Sequence, residues 1–307
     1  MGELRKSALE LGLSALGASP AVPEVRNVFP WAESVVVAAI SYLPPDRTIS
    51  DDVPRGLIAR VARGADYHVV LRAKLSCLSE IIKIDHPNVR MEVCVDTSPL
   101  PERKLAVLAG IAQRVKNANV FVEGCGSYAA LGEIVTNIPI QCSPPTVIDP
   151  CGECDLCVRA CPAQAIIAPG VIDRSRCLSA LTQRGGVVAV ELARAMGNRI
   201  YGCDTCQEAC PQNANICPIS PEFAEDVFPG ATPELIPLIE LTAKDFRERV
   251  SGSSIGWIRR ARIRRNAAIA AGNMKCEQAI PSLRQMLEDE NTVLREHAAI
   301  ALNEIGC

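Results

Sequence analysis

CGECDLCVRACPAQAI (151–166) decides how this chain is read. It spaces four thiols as Cys151-x2-Cys154-x2-Cys157-x3-Cys161 and closes on Pro162. This is the bacterial ferredoxin run for a [4Fe–4S] cubane. A tight loop brings three thiolates to one cluster, and the fourth, before proline, points away to serve a second. The run Cys203-x2-Cys206-x3-Cys210-Pro211 repeats the pattern without its first ligand, and Cys177 stands in for it. Cys151, Cys154, Cys157 and Cys210 then hold one cluster, and Cys161, Cys177, Cys203 and Cys206 the other. The competing reading is a pair of structural zinc sites. Those show two separated CxxC pairs rather than four thiols in one run ending in Cys-Pro. Cys77, Cys94, Cys125, Cys276 and Cys307 read as buried free thiols. Cys142 and Cys217 flank the cluster region and stay open.

Composition sets the frame for these thiols. The chain has 307 residues, 48% hydrophobic and 22% charged, as expected of an ordinary globular protein of about two domains. A net charge of −3 argues against a wholly basic nucleic-acid coat, though not against a local basic patch. The longest apolar stretch, Val35 to Ile40, is far short of the roughly 18 residues a bilayer helix needs. MGELRKSALE lacks the apolar core of a signal peptide, and Lys6 stands where a myristoylation signal needs Ser or Thr. The 15 cysteines are an odd number in a chain too long for a disulfide scaffold. A reducing, cytoplasmic setting is expected, with thiols that bind metal or carry electrons.

Outward from the cysteines, three segments are expected. Residues 1–147 alternate strand-like and helix-like runs. SVVVAAISYL (34–43) reads as a buried strand, residues 66–83 as a helix and VRMEVCVDT (89–97) as a strand. Residues 101–115 read as a second helix and NVFVEG (119–124) as a short strand. This is an α/β pattern inside an α+β chain. Residues 148–220 form the two-cluster, ferredoxin-like module. Residues 221–307 hold a Pro-rich join and a helical tail with an internal repeat. RRNAAIAAGNMKC (264–276) aligns with REHAAIALNEIGC (295–307) at an offset of 31 residues, with a helix candidate at 279–290 between them. Helix pairs at that spacing fit a short HEAT-like α-helical repeat, too short to stand alone, so it must pack on the preceding segment. Arg259, Arg260, Arg262, Arg264 and Arg265 crowd the start of this tail and suit a phosphate backbone. The bland alternative is a solvated helix face.

Two cubanes in series form a one-electron wire that needs an acceptor. No GxGxxG follows a strand, so a Rossmann nucleotide site is unsupported. No DxHxxG corrinoid signature is present either; Asp85-His86-Pro87 lacks its spacing.

VDTSPLPER (95–103), GSYAALGEIVTNIP (126–139), CGECDLCVRACPAQAI (151–166), RCLSALTQ (176–183) and GNRIYGCDTCQEACPQN (197–213) together resemble the epoxyqueuosine reductase family. The resemblance runs from about Trp31 to the C-terminus and includes GADYHVVLR (64–72). It implies a cobalamin-binding N-terminal domain, a two-cluster module and a tRNA-binding repeat tail. The implied reaction reduces the epoxide of a modified base in the tRNA anticodon loop to an alkene, through a cobalamin without a His ligand. By motif position, Asp96 is the general acid for the departing oxygen. To donate at neutral pH it is expected to need a raised pKa, which an apolar corrin face would supply. The alternative for Asp96 is a helix cap or turn residue before Pro99. The resemblance places Arg103 against RNA. It places Ala59, Asp96, Val120, Leu131, Leu178, Asp204 and Thr205 against cobalamin, although core packing would look the same for the apolar ones. The stretch before Trp31 is shorter than in the family, and a Gly-rich segment reads AGIAQRVKN (109–117) here.

Three function classes follow. The first is a tRNA-modifying reductase, a monomer fed by an external low-potential donor. The second is a corrinoid iron–sulfur reductase of a small molecule, which the arginines and the tail disfavour. The third is a plain electron carrier, which leaves VDTSPLPER and about 150 preceding residues without a purpose.

Overall fold

The structure is a computed structural model that describes residues 1–45, 53–142, 149–217, 220–224 and 227–307. The expected boundary at 147/148, and Pro218 and Ile219 at the end of the expected two-cluster module, lie outside the described residues. The chain forms two compact units that are not consecutive in sequence. One comprises Met1–Leu43, Asp66–Asp155 and Cys210–Ala224; the other comprises Pro44–Ala65, Leu156–Ala209 and Glu225–Cys307.

The first unit is built on a four-stranded sheet. Strand Ser34–Ser41 lies between Ala15–Pro20 and Ala129–Thr136, and Met91–Cys94 pairs with the far side of Ala129–Thr136. Every pairing is antiparallel, so the expected α/β alternation does not produce a parallel sheet. All eight residues of Ser34–Ser41 are buried, which is why the run is continuously apolar rather than alternating. One face meets Leu71, Leu75 and Leu78 of helix Tyr67–Asp85, which starts on an Asp66 cap accepting from the His68 N–H at 3.0 Å. On the other face, Val35, Val37, Ala39, Leu131 and Val135 share a core with Leu105 and Ala106 of helix Glu102–Leu108.

Two sequence expectations shorten. The helix expected over 101–115 ends at Leu108, because Gly110 takes φ +73 and turns the chain. The strand expected over 119–124 is only Val120–Phe121, paired with Gln113–Arg114 in a separate ribbon.

The second unit joins the helical tail to the segment after the first cysteine run. Helices Arg259–Asn273, Ile280–Met286 and Thr292–Ile305 form the tail. The first and third approach closely: a Cβ on Gly272 would lie 2.8 Å from the Ala301 Cα. The two halves of the repeat have different surroundings. Ala267 to Ala270 are all buried, because their helix also packs on residues 178–201, whereas Ala299 in the last helix is exposed.

Arg265 makes the join and overturns the expectation that it contacts RNA. The side chain is 1% exposed. Its Nη1 donates to the carbonyls of Arg184 and Gly186 at 2.7 and 2.8 Å, and its Nη2 to the Leu181 carbonyl and the Asn266 side chain, both at 2.8 Å. Nε completes the set on Asn266 at 3.0 Å, so every guanidinium N–H has an acceptor. Burial and then the Arg262 charge lower its pKa to about 10, leaving it a cation at neutral pH. Asn266 donates onward to the Thr182 and Ile200 carbonyls. In Arg265→Ala these buried carbonyls lose their donor, at about 1–3 kcal/mol each. The expected result is a loss of about 3 kcal/mol or more in urea unfolding of the whole protein.

Candidate active site and cluster ligands

Asp96 follows strand Met91–Cys94 and occupies the left-handed region at φ +52. Asp tolerates that conformation better than most residues, and such backbone recurs at functional sites. The turn exposes its carboxylate and aims it at the start of helix Tyr67–Asp85. Oδ2 accepts from the Tyr67 hydroxyl at 3.0 Å and lies 3.3 Å from His68 Nε2. The other imidazole nitrogen sits 2.7 Å from Asp66 Oδ1. Asp66 therefore both caps the helix and orients the ring. Tyr67 and His68 stack with centroids 4.0 Å apart.

The electrostatics reverse one expectation. The His68 hydrogen bond, opposed by burial and helped by Tyr67, holds the Asp96 carboxyl below its ordinary range instead of above it. Hydrogen bonds from Asp66 and then Asp96 raise His68 to about 9. The resting pair at neutral pH is a carboxylate and an imidazolium. Asp96 does not cap the following helix. The bond runs the other way: the Asp96 backbone N–H donates to Glu102 Oε1 at 2.6 Å. Burial lifts the Glu102 carboxyl to about 7. Behind it, burial holds Glu133 of strand Ala129–Thr136 well above the carboxylate range.

The sequence motifs single out Asp96 and do not point to Tyr67, His68, Asp66, Glu102 or Glu133 beside it. Glu133 had a visible signal, a lone ionisable residue in the apolar run ALGEIVT (130–136).

Arg103 is exposed on its helix, and its Nη1 donates to the Ala118 carbonyl at 2.8 Å. Val120 and Leu131 are buried in the core of the first unit. In the second unit Leu178 is buried with Leu181 and Met196. The Ala59 N–H donates to the Tyr201 carbonyl at 2.8 Å, and a Cβ on Gly202, at φ +70, would come within 2.4 Å of the Ala59 methyl. Only glycine fits there. Asp204 is buried, with Oδ2 on the Arg60 N–H at 2.7 Å and Oδ1 on Gln207 at 3.0 Å. The Thr205 hydroxyl accepts from Arg199 at 2.7 Å.

The cysteine loops carry their own dipoles. In the first unit the Lys116 N–H lies 3.4 Å from Cys151 Sγ, and Lys116 Nζ ties down the Gly152 and Cys154 carbonyls at 2.6 and 3.0 Å. Burial raises Cys210, and Cys151 and Cys154 add to it. In the second unit the Ala165 N–H lies 3.2 Å from Cys161 Sγ. Burial pushes Cys206 up to about 12, reinforced by Cys203, Cys177, Asp204 and Cys157. Thiols that burden one another in this way lose their protons only when cationic iron compensates, so the donor set fits iron–sulfur ligation.

The basic patch of the tail is largely spent inside the fold. Arg260 donates to the Leu241 carbonyl and Arg262 to that of Ile258, each at 3.0 Å. Arg264 donates to the Ile239 carbonyl at 2.8 Å and pairs with Asp289 at 2.5 Å. The expected repulsion among five cations is thus answered by carbonyls and one carboxylate, and Arg264 and Arg265 are structural. Of the five, Arg259 is exposed.

His68 makes this site pH-dependent in a defined direction. Its folded pKa of about 9 exceeds the ordinary 6.5, so the ion pair stabilises the fold fully below about pH 6.5 and fades as pH rises to about 9. His68→Gln should therefore lower the unfolding midpoint most at acidic to neutral pH, with the gap narrowing toward pH 9. An imidazole that titrates near 6.5 by NMR would contradict the pairing.

Comparison with known proteins supplies independent findings. A family model described as "Epoxyqueuosine reductase QueG, DUF1730" matches residues 23–97. One for a 4Fe-4S double cluster binding domain matches 150–213, and one for HEAT repeats matches 259–306. The chain is 38% identical over 290 residues to the epoxyqueuosine reductase of Bacillus subtilis, covering 92% of this chain and 74% of that one. To the Escherichia coli enzyme of the same name it is 34% identical over 281 residues, covering 90% and 74%. It superposes with a TM-score of 0.92 on a crystal structure of epoxyqueuosine reductase with an epoxyqueuosine-modified tRNA-Tyr stem loop. That match is at 33% identity and covers 100% of this chain and 90% of the other.

Proposed function

The chain belongs to the epoxyqueuosine reductase family, and from that membership we propose that it reduces the epoxide of epoxyqueuosine in a tRNA anticodon stem-loop to the alkene of queuosine. The observation that carries the reading is Asp96 at the end of its strand, with Tyr67 and His68 on its carboxylate, in a chain that also holds a double 4Fe-4S domain. Removing the oxygen takes two electrons and two protons and releases water. Electrons arrive singly from an external low-potential donor through two clusters. Cys151, Cys154, Cys157 and Cys210 hold one, and Cys161, Cys177, Cys203 and Cys206 the other. Cobalamin, when bound, supplies the cobalt chemistry that meets the substrate carbon.

The residues fit that cofactor in the chemistry they offer. His68 has both ring nitrogens facing carboxylates, and the buried His297 accepts the Val188 N–H at 3.1 Å on Nε2. Both are engaged within the protein, so cobalamin would be held without them. Ala59, Asp96, Val120, Leu131, Leu178, Asp204 and Thr205 are the residues that would hold cobalamin. Asp96 protonates the departing oxygen, and Tyr67 and His68 fix its direction. Covering the site penalises both charges of the Asp96–His68 pair. A proton moving from imidazolium to carboxylate removes both and leaves a neutral acid ready to donate.

RNA contact rests on Arg103 and Arg259. Arg259→Ala should weaken tRNA binding and reduce the salt slope by about one phosphate contact. Arg264→Ala should lower stability and leave the slope unchanged. Among the described residues no helix is long and apolar enough to cross a membrane. The proposed setting is a cytoplasmic monomer.

Two variants test the chemistry. Cys177→Ala should lose one cluster and keep the other, bringing iron from about eight to about four per chain. Asp96→Asn should keep both clusters, cobalamin and tRNA affinity, while conversion of epoxyqueuosine-containing tRNA falls by roughly 10²- to 10⁴-fold. Turnover near wild type in the Asn variant would reduce Asp96 to a turn residue.

A further inference from the structure

Glu133 has no structural reason to be where it is. It is 0% exposed, and neither carboxylate oxygen has a hydrogen-bond partner among the described residues. In the sheet it stands opposite Val37 on one side and Cys94 on the other. Two residues away in either direction, Leu131 and Val135 point into the core beneath helix Glu102–Leu108, and period-two alternation sends Glu133 to the same face. An unpartnered acid in such a place costs stability and contributes no contact.

What Glu133 does face is acid. Glu102, on the helix over that face, and Asp96, in the loop after Cys94, both act on it. Glu102 is joined to Asp96 through the 2.6 Å bond from the Asp96 N–H. The other ionisable groups around them are Cys94 and Glu92 on the neighbouring strand, Tyr67, His68 and Arg72 on helix Tyr67–Asp85, and Arg103 beside Glu102. Strand Ser34–Ser41 brings none. No cation is among the groups that act on Glu133 itself.

The reaction consumes two protons per epoxide, and Asp96 carries one at a time. To reach the departing oxygen, Asp96 must be covered by substrate, which removes the water that could reload it. We infer that Glu133 is an internal proton store that, through Glu102, reloads Asp96 for the second proton of each turnover. Neither Glu133 oxygen is hydrogen-bonded to Glu102, and Glu102 holds the Asp96 N–H rather than its carboxylate, so the relay requires the Glu102 side chain to swing between the two. The transfers then balance as one proton passing from the Glu133 carboxylic acid to the Glu102 carboxylate, and one from Glu102 to the Asp96 carboxylate. Glu133 is left ionised until the site reopens and a proton returns from solvent. No electron moves in these steps. Glu133 and Glu102 touch no substrate; they are positioning residues for the proton. Burial as the leading influence on both carboxyls is consistent with their holding protons near neutral pH.

The inference rests on the proposed epoxide reduction, and the test separates the two. Wild type and Glu133→Gln, loaded with both clusters and cobalamin, are compared in single turnovers of an epoxyqueuosine-containing tRNA stem-loop, with reduced viologen as donor. Glu133→Gln keeps the shape and cannot give a proton. Because the covered site admits no solvent proton, it should fall about ten-fold or more behind wild type at every pH from 6 to 9. Glu102→Gln, which retains an acceptor for the Asp96 N–H, should show the same profile. Two readouts do not depend on turnover. The infrared carbonyl absorption of protonated carboxylic acids at neutral pH should lose one component in Glu133→Gln and keep the one that Glu102→Gln removes. Because the folded protein holds this proton above the ordinary 4.5, wild type should lose stability relative to Glu133→Gln as pH rises above about 4.5. If Glu133→Gln misfolds, Glu133→Met, which fills the core without an acid, serves in its place. Equal rates at every pH, or an acid absorption in wild type that Glu133→Gln leaves unchanged, would overturn the store. A wild type that converts no substrate would overturn the epoxide reading itself.

Discussion

The first unit depends on burying strands Ser34–Ser41 and Ala129–Thr136 on both faces. Helix Tyr67–Asp85 closes one face and helix Glu102–Leu108 the other, and the chemistry sits where those two helices begin. Tyr67 and His68 are the first two residues of one helix and Glu102 the first of the other. Asp96 is the turn that leaves the adjoining strand. A shift of one residue in the pairing of Met91–Cys94 would send Cys94 and its neighbours to the opposite face and move Asp96 off the His68 ring. The apolar packing of the sheet therefore fixes the direction of a carboxylate that is itself largely solvent-exposed.

The second unit is organised by a polar group. Arg265 gathers the carbonyls of Leu181, Arg184 and Gly186, and Asn266 adds those of Thr182 and Ile200. Asn273 extends the same helix's grip to Ala193 and Gly197 at 2.8 Å each. Segment 178–201 has only short helices and needs its loose carbonyls satisfied. The helical tail supplies donors to the cluster segment, which explains why so short a repeat is stable in this chain.

How far the sequence was legible follows from the kind of signal each residue carried. The cysteine spacing was readable because local loop geometry sets ligand spacing, and the Ala-rich repeat because helix packing repeats. Strand Ser34–Ser41 and helix Tyr67–Asp85 were readable from apolar pattern. Strand Ala129–Thr136, the inner partner of the sheet, went unread as a strand because Gly132 and Glu133 interrupt it. The arginines misled for a different reason. A run of cations looks the same in sequence whether its partners are phosphates or carbonyls, and the carbonyls that hold Arg265 lie about 80 residues away. The direction of the Asp96 shift was unreadable because it depends on His68, 28 residues earlier in the chain.

That direction changes what kind of acid Asp96 is. A carboxyl raised by an apolar wall alone would be protonated whether or not substrate is present, and could lose its proton unproductively. Asp96 is instead held as an anion by an imidazolium and a tyrosine hydroxyl while the site is open. Its capacity to donate arises only when solvent is excluded, because exclusion weakens the ionic form of both partners together. On the proposed function, coupling the acid to coverage would tie the proton to the presence of the modified base. Glu133 is buried within the sheet behind this loop, and Glu102 holds the loop's Asp96 N–H. On the proposed relay, a single aspartate would be switched from outside by substrate and supplied from within by Glu133.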